Sequence, residues 1–78
     1  MEDIKKIAKK HITDFGFDSI YYKGEKNLCH YFMAFNKANL GRYTGLPYVI
    51  KINSQKEIFV VRELKEKMWA INAKGELF

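Results

Sequence analysis

One cysteine, one proline, two arginines and one tryptophan in 78 residues exclude several kinds of protein at the outset. With Cys29 alone, no intrachain disulfide can form, so the usual staple of very small secreted domains is missing and a reducing compartment fits best. No apolar run approaches the roughly 20 residues that span a bilayer, and the N-terminal residues lack the apolar core of a signal peptide. No membrane partner is expected, and the expected location is cytoplasmic. Arginine appears only as Arg42 and Arg62, which limits bidentate recognition of bases, so sequence-specific readout is not expected. No phosphate-binding Walker loop, dinucleotide fingerprint, nucleophile elbow or zincin helix is present, and neither a cofactor nor a metal is expected.

What is present describes a folded domain. Hydrophobic residues make up 47% of the chain and charged residues 29%, a globular balance with no tract polar enough to be disordered. A chain this short buries only about 60% of the surface its unfolded form exposes, so residues 1–78 form one small domain. The net charge of +5 is unevenly spread. Residues 16–56 hold six basic against two acidic side chains, whereas residues 57–78 hold four of each. All five tyrosines, Tyr21, Tyr22, Tyr31, Tyr43 and Tyr48, fall in the basic stretch. Aromatic rings among lysines suit a surface that meets phosphates and bases, and tyrosine is also an ordinary strand residue.

Periodicity sets the element order. Ile4, Ile7, Ala8, His11, Ile12 and Phe15 recur at helical spacing over about residues 2–15, with Glu2 and Asp3 in the first turn and Gly16 as a stop. Ser19 to Lys23 reads as a strand, residues 23–27 as a turn, and Leu28 to Phe35 as a second strand. In that strand Leu28, His30, Phe32 and Ala34 alternate with Cys29, Tyr31, Met33 and Phe35, so both faces are largely apolar. Such a strand must be covered on both sides, either by helices split between the faces or by another molecule. Residues 36–46 read as a loop before Pro47, and Tyr48 to Asn53 as a half-buried strand. Ser54 to Glu57 matches a capping box, which would start a long helix, while Ile58 to Val61 prefers a fourth strand before a shorter helix from about residue 62. Leu64, Met68 and Ile71 line one face of that helix in either case, and Gly75 ends it. The expected fold is α+β: an N-terminal helix, a three- or four-stranded antiparallel meander and a C-terminal helix.

Candidate chemistry is sparse. Cys29 and His30 are neighbours on a strand and point to opposite faces, so they cannot form a nucleophile and base pair. His11, His30 and Cys29 make a poor metal set. The loop Asn39-Leu-Gly-Arg-Tyr-Thr-Gly45 offers donors and a stacking face through Arg42, Tyr43 and Thr44, as a phosphate clamp needs, but a plain connector is the favoured account. Lys5, Lys6, Lys9 and Lys10 have a simpler account as a solvated helix face.

Helix, meander, helix, together with basic charge, resembles small double-stranded RNA-binding modules in topology. The resemblance stops there, because Ile58, Phe59 and Val60 stand where such a module carries a lysine-alanine pattern. The preferred expectation is a nucleic-acid-binding module without sequence specificity and without enzymatic activity, contacting the backbone through Lys23, Lys26, Lys37, Arg42 and Lys51 with Tyr43 for stacking. The alternative is a protein-interaction module, a small adaptor or inhibitor able to form a homodimer, with Tyr31, Met33 and Phe35 as exposed anchors.

Overall fold

The computed structural model describes residues 2–37 and 48–77. Their order is α1 (Glu2–Asp14), β1 (Ser19–Lys26), β2 (Cys29–Phe35), β3 (Tyr48–Asn53), β4 (Ile58–Val60), α2 (Leu64–Asn72) and β5 (Glu76–Leu77). The strands form one antiparallel sheet in the order β4-β3-β2-β1-β5, so the α+β class holds with five strands where three or four were expected.

α1 ends as its sequence predicts. Gly16 takes φ +88, which lets Phe17 N–H donate to Ile12 O at 2.9 Å and Gly16 N–H to Thr13 O at 3.0 Å. Phe17 is thereby turned onto the core. Ala8 and Ile12 are buried and Ile4 and Ile7 pack beside them, but Phe15, expected on the buried face, is exposed and stacks on His11 at 4.5 Å.

The first hairpin turns later than its lysine-glycine stretch suggests. β1 runs on to Lys26, and the two-residue turn is Asn27-Leu28, both with positive φ (52 and 65). That is the type I′ geometry whose twist matches a hairpin. Asparagine tolerates it and leucine does not, so Leu28 carries backbone strain while 81% exposed. Leu28→Gly is expected to raise stability by about 1 kcal/mol in urea unfolding. Gly24, at φ +107, follows a bulge at Lys23 that shifts the β1–β2 register.

The Ser54–Glu57 box caps no helix. Asn53 Oδ1 accepts from Gln55 N–H and Glu57 N–H, its Nδ2 donates to Glu57 Oε1, and the chain turns back into β4. Glu63, at the start of α2, makes no side-chain capping bond. β4 is therefore the fourth strand and the helix is short.

The two helices lie on opposite faces of the sheet. Phe32, Ala34, Ile20, Ile50 and Ile52 meet Ala8 and Ile12 of α1 on one face; Tyr31 and Val49 join Val61 and Ala70 of α2 on the other. This division covers both apolar faces of β2 within one chain. β5 closes the far edge against β1, and a methyl group at Gly75 would lie 2.9 Å from Lys23 Cδ and 3.0 Å from Tyr22 O, so the chain passes β1 too closely for a side chain there.

Candidate functional site

Three of the lysines singled out from the sequence, Lys23, Lys26 and Lys51, gather around α2, where the protein itself uses them. The bulge aims Lys23 at the end of the helix, and its Nζ donates to Ala73 O at 3.0 Å and Ile71 O at 3.4 Å. Burial holds its pKa below the ordinary lysine value. Lys26 Nζ sits 4.8 Å from the centroid of Trp69. Lys51 Nζ lies 2.6 Å from Glu66 Oε2, and the Tyr31 hydroxyl donates to the same oxygen. Lys51 first, then Tyr31, hold the Glu66 carboxyl below the usual glutamate range; burial and the bond to Glu66 push the Tyr31 phenol well up. Lys37 is exposed at the end of β2, its backbone N–H bonded to Asp18. Arg42 and Tyr43, with the glycine loop around them, lie outside the described residues.

The anchors expected on β2 are corrected in the same way. Tyr31 is 1% exposed, closed over by α2 with Trp69 edge-on at 5.1 Å, and so presents no surface. Met33 packs against the same cluster and Phe35 stacks on Tyr21 at 5.2 Å; both are half-buried. The helix is also rotated relative to expectation. Ala70 and Glu66 face the sheet, while Leu64 and Met68 point to solvent.

On the α1 face the two histidines are occupied separately. His11 Nε2 is 3.0 Å from the Tyr48 hydroxyl, and His30 Nδ1 is 2.9 Å from the Tyr22 hydroxyl, with Glu25 3.9 Å from His30 Nε2. Each ring is held by its tyrosine partner. Among the described residues no group of three or more histidine, cysteine or acidic side chains is placed to hold a metal ion. No helix there is long and apolar enough to cross a membrane.

What is left open is the outer edge of β4. The bonds Asn53 N–H to Glu57 O and Val61 N–H to Val49 O mark hydrogen-bonded pairs of the β3–β4 ladder. Because such pairs alternate along an antiparallel ladder, Phe59 also turns its backbone groups toward β3. Ile58 and Val60 then direct their N–H and C=O away from the sheet. Among the described residues β4 has a neighbour on one side only. On this edge strand Phe59 is 43% exposed and Val60 37%. Native edges are commonly guarded by shortness, proline, charge or a cover; β4 is short, at three residues, but Ile58-Phe59-Val60 carries no proline or charge. The signal was present in the sequence as the Ile-Phe-Val run, which read there as strand or helix and not as an edge.

Comparisons with protein-family models, with curated proteins and with solved structures find no match for this chain.

Proposed function

We propose that this protein is a protein-interaction module that accepts an extended segment along β4. One observation carries the reading: an edge strand with outward backbone groups at Ile58 and Val60 and exposed side chains at Phe59 and Val60. Strand addition of this kind draws affinity from main-chain hydrogen bonds and selectivity from alternate side-chain contacts. The nucleic-acid reading loses support by comparison, because Lys23, Lys26 and Lys51 are already engaged with helix carbonyls, Trp69 and Glu66.

The test is fluorescence anisotropy with extended peptides of alternating apolar and polar residues selected by display, against the parent protein and Val60→Pro. Proline at position 60 removes an outward N–H and leaves the inward ladder of Phe59 and Val61 intact. The expected result is at least about ten-fold weaker binding by the variant, or about 1.4 kcal/mol, with little change between about 50 and about 200 mM salt. Peptide binding that ignores Val60→Pro would sink the proposal. So would preferential, steeply salt-dependent binding of mixed oligonucleotides, which would return attention to the lysines of α1 and to Lys37.

A further inference from the structure

We infer that the segment that pairs with β4 is β4 of a second copy of this chain, an inference that rests on the strand-addition reading above. Two identical antiparallel strands can neighbour each other in one sheet only about a two-fold axis perpendicular to it, and that axis must fall at a residue or between equivalent ones. The outward groups of this edge belong to Ile58 and Val60. Placing the axis at Phe59 sets Ile58 of one copy against Val60 of the other, twice, and each such pair exchanges two hydrogen bonds. Every outward N–H and C=O of the three-residue strand is then used. Phe59 meets Phe59 of the second copy as a non-hydrogen-bonded pair, with Cα atoms about 4.5 Å apart, the closer arrangement in which aromatic pairs interact best. Both rings project on the side of the sheet that carries α2, where Leu64 and Met68 stand exposed. The result joins two five-stranded sheets into one.

Two further features favour a copy over an unrelated extended peptide. The chain carries +5 overall, which opposes self-approach, yet residues 57–78, from which β4 and α2 are built, hold four basic and four acidic side chains. Copies that meet here bring neutral segments together. A second β4 is also already ordered by its own β3, so pairing pays no cost of ordering a flexible segment. The exposed side chains of the strand itself, Phe59 and Val60, make a small apolar patch, below the size of a permanent interface, so the association expected is reversible.

Sedimentation velocity on the full chain between about 1 μM and about 500 μM tests the pairing, with amide exchange of Ile58 and Val60 read at both ends of the range. The parent protein is expected to pass from one chain mass to two, with those two amides slowing at the high concentration. Val60→Pro is expected to stay at one chain mass. Phe59→Glu, which sets two carboxylates against each other across the axis while leaving the backbone untouched, is expected to do the same and keeps the test intact if the proline variant unfolds. A dimer that survives in a folded variant of either kind would place the interface elsewhere and overturn the inference. A parent protein that is monomeric throughout overturns it too, and the display peptides then separate the cases: retained, Val60→Pro-sensitive peptide binding leaves the strand-addition reading standing, whereas no peptide binding removes both.

Discussion

Phe32→Ala is expected to cost about 3–5 kcal/mol, a large share of the about 4–12 kcal/mol of stability that a chain of this length has. Phe32 is fully buried on the central strand, where it meets Ile20, Ile50 and α1. The neighbouring substitution Tyr31→Ala tests the division of the core. Tyr31 points to the opposite face and is covered by α2, a nine-residue helix whose only fully buried residue is Ala70. Its loss is expected to free α2 while the α1 face stays folded. Trp69 reports this directly, since it lies edge-on against Tyr31 and is the only tryptophan. In Tyr31→Ala, tryptophan fluorescence is expected to change at lower urea than backbone circular dichroism; in Phe32→Ala the two are expected to move together. Coincident transitions in Tyr31→Ala would mean that the two cores melt as one unit.

The same pair of residues shows what was legible in the sequence. Alternation along β2 gave both apolar faces and required two covers, and the split of the helices supplies them. α1 was legible because its apolar spacing, acidic first turn and terminal glycine agree. The 54–57 segment was not, because a serine three residues before a glutamate suits a helix cap, while the deciding group, the amide of Asn53, acts through bonds that spacing does not reveal. β5 is two residues long and has no period to read. The face of α2 was misjudged for a physical reason. Leu64, Met68 and Ile71 look like the buried stripe, but only Ile71 packs on the cluster, because the sheet beneath also carries Lys51 and the Tyr31 hydroxyl, and these select the one side chain that can satisfy both, Glu66. Three lysines of the expected basic surface are engaged for the same reason: Lys23 meets the helix's carbonyls, Lys26 its tryptophan and Lys51 its carboxylate.

Glu66→Gln is therefore expected to be the most costly change on the surface of the α2 layer. The carboxylate accepts from Tyr31 and Lys51 at a site only 19% exposed, so removing its charge weakens two bonds and leaves Lys51 without its counter-charge, at a cost of about 2–3 kcal/mol. For a domain of this size that lowers the midpoint of thermal unfolding by about 10 °C or more. The pH dependence identifies the cause. Glu66 is held below the ordinary value of 4.5 in the folded protein, so the unfolded chain takes up the proton first as pH falls. The stabilisation is fully present above pH 4.5 and is lost as pH drops through the depressed folded value. The difference in unfolding free energy between parent and Glu66→Gln, measured by urea titration from neutral pH downward, is expected to be flat to about pH 5 and to shrink below it. A difference that stayed constant into the acid range would mean that Glu66 acts by shape alone, and the polar join between α2 and the sheet would then have to be assigned to Lys23 and the helix-end carbonyls.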